Sequence, residues 1–203
     1  MRVPRDQFRA LDLEVHAVLA DAPLRDVTVV DLPGGGRMRG MADVRALLTP
    51  PLLASANVLV RGLFALRGLL GRLFGWDSGE RVDSRQSYVH RLGDTLKARS
   101  AVPPGTTAGL FKWLYVLERE SVTEVRNATV HAFMCWALEE TTSGYRLYLA
   151  VYVKPVSWLT PLYMALIEPF RRFVVYPSIV RGIRRAWIGR YGTPATSVDG
   201  GAG

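Results

Sequence analysis

Cysteine is almost missing from this chain. Cys135 is the only one among 203 residues, so an internal disulfide and a zinc site built from several thiolates are both excluded. Cys135 stands in the apolar run Ala132-Phe133-Met134-Cys135-Trp136, where a thiol is expected to behave as a small buried hydrophobe. Histidine is nearly as scarce. His16, His90 and His131 fall in three separate segments with no close pairing of the kind that binds metal. No metal or cofactor is expected. Lysine is rare too: only Lys97, Lys112 and Lys154 occur, so the net charge of +8 and the pI of about 10.1 rest on arginine. The aromatics lie mostly inside apolar stretches instead of alternating with arginines, which argues against a base-stacking surface and against nucleic acid as a partner. A long uninterrupted apolar run is also lacking. The most hydrophobic stretch, residues 52–76, is broken by Arg61, Arg67 and Arg72, whereas a bilayer span needs roughly 20 nearly unbroken apolar residues. The start, Met1-Arg2-Val3-Pro4-Arg5-Asp6, has no apolar core of a signal peptide. The expected location is cytoplasmic.

What is present is enough apolar material for a core: 49% of the chain is hydrophobic. No internal repeat or linker divides it, so residues 1–191 are expected to form one domain, and the Gly/Ser/Thr-rich residues 192–203 a disordered tail. Leu11, Val15, Val18 and Leu19 predict a helix over residues 8–19. The β-branched run Val27-Thr28-Val29-Val30 predicts a strand closed by Pro33-Gly34-Gly35-Gly36. Helices are expected over residues 41–48 and 52–74, then a surface loop over 77–87. There the period changes. Phe111, Trp113, Tyr115 and Leu117 alternate with polar neighbours, Val122 and Val125 mark a short strand, and residues 130–138 and 145–154 form longer ones. Short turns between these strands imply an antiparallel meander. Pro161, Pro169 and Pro177 are expected to start or kink the closing helical pieces. The last of these carries Ile179, Ile183 and Trp187 on one stripe against Arg181, Arg184 and Arg185. The expected class is therefore α+β: an antiparallel sheet wrapped around a long C-terminal helix, the helix-grip arrangement.

A resemblance supports the same class. The run Leu63-Phe64-Ala65-Leu66-Arg67-Gly68-Leu69-Leu70-Gly71-Arg72-Leu73-Phe74-Gly75-Trp76 resembles a signature of a bacterial family of unknown function within the START-like, or SRPBCC, superfamily. Asn127-Ala128-Thr129-Val130-His131-Ala132-Phe133, Pro161-Leu162-Tyr163 and Pro169-Phe170-Arg171-Arg172 are similar to the same group. The resemblance implies a helix-grip fold and a hydrophobic ligand. It supplies no catalytic residues.

Each motif has a plain structural alternative. Gly34, Gly36 and Gly40 follow a strand and precede a helix, as in a phosphate-cradling loop, yet no repeated βαβ units accompany them, so a glycine-rich turn is the better reading. Glu118, Glu120 and Glu124 with Arg119 and Arg126 read as a solvated rim beside a strand turn. Asn127-Ala128-Thr129 fits a glycosylation sequon without a secretory signal. On residues 130–138 one face offers Val130, Ala132, Met134 and Trp136, the other His131, Phe133 and Cys135. Both are largely apolar, so this strand should be covered on each side.

The expected function is a binding module for a small hydrophobic or lipid-like ligand, held in a cavity between sheet and closing helix. Its wall would be drawn from Trp113, Tyr115, Val130, His131, Ala132, Phe133, Met134 and Trp136. Two rivals share the fold. An enzyme of cyclase or hydratase type would require His131, Tyr115 or Glu118 to converge in the pocket. A protein of the anionic membrane surface would use the arginine-rich end, where seven cations between Lys154 and Arg190 face Glu168 alone.

Overall fold

A β-hairpin dominates the architecture. In the computed structural model, which describes residues 3–48, 86–109, 111–126, 130–156 and 160–192, β5 (Val130–Thr141) and β6 (Gly144–Pro155) pair along their whole length. Thr142 and Ser143 alone form the loop between them. Four further strands complete the sheet: β1 (Leu24–Pro33), β2 (Thr107–Ala108), β3 (Phe111–Val116) and β4 (Glu120–Arg126). The order across it is β1-β6-β5-β4-β3-β2, and every pairing is antiparallel. The first strand thus returns beside the last, while the others follow as the expected meander.

Both faces are covered, as the two-sided apolar pattern of β5 requires. One face packs against the N-terminal segments α1 (Arg5–Arg9) and α2 (Val15–Val18), the 3-10 turn Tyr88–Arg91, and α4 (Asp94–Arg99). Phe8, Val15, Leu19, Tyr88, Phe133 and Tyr148 form its core. The other packs against α3 (Met41–Leu47) and the closing helices, with Met41, Val44, Trp136, Leu147, Ile183 and Trp187 at its centre. We call these the N-terminal face and the helix face.

The closing segment is helical from Thr160 to Tyr191 but not uniform. In α5 (Thr160–Phe170), Pro169 has no N–H to return to the carbonyl four residues before it, and the helix widens into a π-helical stretch, Arg171–Val175. In α6 (Tyr176–Tyr191), Pro177 sits in the first turn, Ile183 and Trp187 are buried, and Arg181, Arg184 and Arg185 face outward, as their spacing predicts. The fold class is α+β with an antiparallel sheet and a C-terminal helix in a helix-grip-like arrangement.

Three sequence expectations differ from the structure. The single helix over residues 8–19 is two short ones, because the backbone N–H groups of Glu14 and Val15 are drawn to the Glu120 carboxylate at 2.7 and 3.3 Å, restarting the helix there. α4 carries too short an apolar pattern to be foreseen. The steady alternation across Phe111, Trp113, Tyr115 and Leu117 is interrupted by a register shift between Trp113 and Tyr115. That bulge places Trp113 on the helix face and Tyr115 on the N-terminal face. The expected helix over residues 52–74, the signature from Leu63 to Trp76, nearly all of the 77–87 loop, the sequon at 127–129 and all but the first residue of the tail lie outside the described residues.

Candidate functional site

The central strand β4 carries the chemistry. It lies between β3 and β5, and Glu120, Ser121, Val122, Thr123 and Glu124 are all buried, four of them polar. A strand inside the sheet and covered on both faces must house whatever side chains it carries. Its two-residue period sends Glu120, Val122 and Glu124 to the N-terminal face and Ser121 and Thr123 to the helix face.

On the N-terminal face the polar groups are fully engaged. Glu120 accepts the Glu14 and Val15 N–H groups and the Tyr115 hydroxyl, the last at 3.2 Å. Burial nevertheless raises its carboxyl above the ordinary value. Glu124 accepts hydrogen bonds from the Ser87 hydroxyl, the Tyr88 N–H at 3.1 Å and His131 Nε2 at 3.0 Å. Burial pushes this carboxyl up, but the bonds from His131, Ser87 and Tyr88 outweigh it, and Glu124 lies below the ordinary value. Nearer the surface, Asp21 binds Lys154 at 2.7 Å, Arg91 at 2.9 Å and the Tyr88 hydroxyl at 2.9 Å. Burial opposes its ionisation, but these partners hold its carboxyl well below the usual range. The solvated rim is therefore half right: Glu118 and Arg119 are exposed, whereas Glu120 and Glu124 are buried fasteners.

The helix face differs. Ser121 Oγ and Thr123 Oγ1 are buried and, among the described residues, have no hydrogen-bond partner. Thr123 stands in register between Trp113 and Met134, and Ser121 opposite Trp136. Arg45 from α3 lies over the Trp113 ring, 5.1 Å from its centroid. Trp113, Ala132 and Met134 are half-buried, while Val130 and Trp136 are buried. Farther along the same face, Arg171 turns inward from the π-helical stretch to pair with Asp26 at 3.1 Å and with the Tyr176 hydroxyl.

The expected ligand set is thus divided by the sheet. Trp113, Val130, Ala132, Met134 and Trp136 share the helix face; Tyr115, His131 and Phe133 point to the other side. The trio required for an enzyme does not converge: Tyr115 is bound to Glu120, His131 to Glu124, and Glu118 is exposed elsewhere. Cys135 is fully buried, and burial pushes its thiol well above the usual value. No group of three metal-ligating side chains occurs among the described residues. Two surface clefts are described. One, of about 350 Å³, is bounded by Arg37, Arg39, Glu118, Arg119, Glu140 and Tyr145. The other, of about 450 Å³, lies beside Arg9, His16, Asp21 and Tyr152. Neither touches the expected ligand set.

The glycine-rich loop proves to be a packing device. The N–H groups of Gly34, Gly35, Gly40 and Met41 are given to Ser143 O, Tyr191 O, the Asp43 carboxylate and Glu118 O. A phosphate would meet spent donors and a carboxylate. Gly35 has φ of +93°, and a Cβ there would stand 2.7 Å from the Trp187 ring. Trp187 Nε1 in turn donates to Pro33 O at 3.1 Å. The loop therefore seats the closing helix against the end of β1.

Sequence reasoning missed Ser121 and Thr123. The available signal was the run Glu-Ser-Val-Thr-Glu-Val between two apolar strands, which only a buried central position makes meaningful.

These elements define an α+β protein whose antiparallel sheet is closed by a C-terminal helix and whose central strand is polar on both faces. A family model described as "Protein of unknown function (DUF2867)" matches residues 18–178, a span that contains the entire sheet, and the chain belongs to that family. No curated protein and no solved structure matches it. Among the described residues no helix is long and apolar enough to cross a membrane.

Proposed function

We propose that this chain is a START-like binding module that holds a small hydrophobic molecule bearing a polar group against the helix face of its sheet. The observation that carries this reading is the pair of buried hydroxyls of Ser121 and Thr123, unpartnered among the described residues, beside Trp113, Met134 and Trp136. A hydroxyl buried without a partner costs about 1–3 kcal/mol. A face serving only as core would be more stable with Ala and Val at these positions. A ligand carbonyl or hydroxyl would satisfy both groups, while the aromatic side chains offer flat apolar walls.

The test is the double variant Ser121→Ala/Thr123→Val. Its stability in urea should equal or exceed that of the parent. Its uptake of a carbonyl-bearing hydrophobic fluorophore should weaken about tenfold, the equivalent of roughly one lost hydrogen bond. Unchanged uptake would remove the reading. Native mass spectrometry of protein purified from its own host should reveal a copurified small molecule.

A further inference from the structure

Among the described residues, the arginines of the last helix lack the acidic neighbours that ordinarily balance a solvated surface. In α6, Arg181, Arg184, Arg185 and Ile188 follow the i, i+3, i+4, i+7 spacing of one helical stripe, and all four are exposed. The opposite stripe, Ile183 and Trp187, is fully buried against the sheet, so the orientation of the outer stripe is fixed by the core. Just before α6, Arg172 is exposed, with its guanidinium 5.5 Å from the ring centroid of Phe173, itself 70% exposed. The segment's acid, Glu168, lies 3.5 Å from the buried Arg171. Among the described residues, Arg172, Arg181, Arg184 and Arg185 have no carboxylate partner. Elsewhere Arg9, Arg39, Arg91, Arg99 and Arg146 each have one, while the exposed Arg5, Arg37 and Arg119 are scattered and, among the described residues, also have none.

We propose that the outer stripe of α6, together with Arg172 and Phe173, docks the protein on an anionic lipid bilayer. This surface is independent of the proposed ligand site, which lies under the sheet's helix face. Unpaired guanidinium groups on one side of a rigid helix attract lipid phosphates at close range, and this attraction weakens with salt. Ile188 lies within the arginine stripe and Phe173 stands beyond its N-terminal end. There a bilayer gains what a phosphate backbone cannot use: apolar side chains seated at the boundary of headgroups and acyl chains. Nucleic acid would match the charge but leave Ile188 in water.

The test compares the full chain on vesicles of phosphatidylcholine alone and of phosphatidylcholine mixed with phosphatidylglycerol. Co-sedimentation should occur with the anionic vesicles only and disappear at high salt. Replacing Arg181, Arg184 and Arg185 by Gln should lower the partition coefficient by about a hundredfold, since each cation near the surface contributes up to roughly a fivefold factor. Ile188→Ser, with every charge kept, should lower it about threefold. Both variants change exposed positions, and far-ultraviolet circular dichroism checks that they fold. Equal binding to neutral vesicles, or anionic binding that survives loss of the three arginines, overturns the proposal. Tighter binding to duplex DNA than to anionic vesicles overturns it in favour of a polyanion site.

Discussion

The two faces of β4 bury polar groups in opposite ways. On the N-terminal face Glu120 and Glu124 each accept three hydrogen bonds. On the helix face Ser121 and Thr123, from the same strand, have no hydrogen-bond partner among the described residues. The carboxylates act as fasteners: Glu120 gathers the start of α2, and Glu124 gathers Ser87, Tyr88 and His131. These are short segments with little helical signal of their own, and helices this short do not hold without tertiary anchors. The hydroxyls fasten nothing. Polarity that is satisfied on one side of one β-strand marks a structural role, and polarity left unsatisfied on the other is the ground of the proposed binding role.

The largest effect should come from breaking a fastener. Glu124→Ala leaves His131, Ser87 and the Tyr88 N–H buried without their acceptor and should cost about 4 kcal/mol in urea unfolding. Ser121→Ala on the other face should cost nothing measurable. Equal costs at the two positions would erase the contrast between the faces. Next comes the seat of the closing helix. Gly35→Ala combines a positive φ with a Cβ 2.7 Å from Trp187 and should cost about 3 kcal/mol. Gly36→Ala, also at positive φ but with nothing within 4 Å of its Cβ, should cost less. Ala132→Trp adds bulk to the helix face and should cost about 2 kcal/mol through overpacking while abolishing uptake of a hydrophobic fluorophore. A folded variant that takes up probe as the parent does would move the ligand site elsewhere.

The smallest effect is in pH. Glu124, held below its ordinary value of 4.5, contributes stability that is complete above 4.5 and is lost as pH falls through its lower folded value. Glu120, raised by burial, contributes stability that is complete below 4.5 and is lost as pH rises through its folded value. Glu124→Gln should flatten the acid limb of stability against pH, and Glu120→Gln the loss on rising pH. Urea midpoints across a pH series measure both. Flattening of the same limb by both variants would show that the two carboxylates are not opposed.

Much of the fold was legible in residue periodicity. The change from a helical to a two-residue period located β3 to β6, and the apolar residues on both faces of β5 announced a strand covered on each side. The stripe Ile179, Ile183 and Trp187 located the buried side of α6. The site was less legible. A bulge between Trp113 and Tyr115 moves Tyr115 through the sheet, and no pattern of residue types along β3 encodes one extra residue in the ladder. The wall expected from Val130, His131, Ala132, Phe133, Met134 and Trp136 spans both faces of β5, because alternation along the strand turns His131 and Phe133 away from the other four.

The sequence by itself determined what depends on neighbours along the chain: the strands and their alternation and the amphipathic closing helix; its single cysteine also excluded an internal disulfide. Only the tertiary structure decided which polar residues are buried and which of those are satisfied. Glu118 and Glu120 stand two apart beside one turn, yet the first is exposed and the second lies under α2. Burial and hydrogen bonding depend on what the rest of the chain brings from afar. Glu14 reaches Glu120 across a separation of 106 residues, and nothing local in the sequence records that meeting.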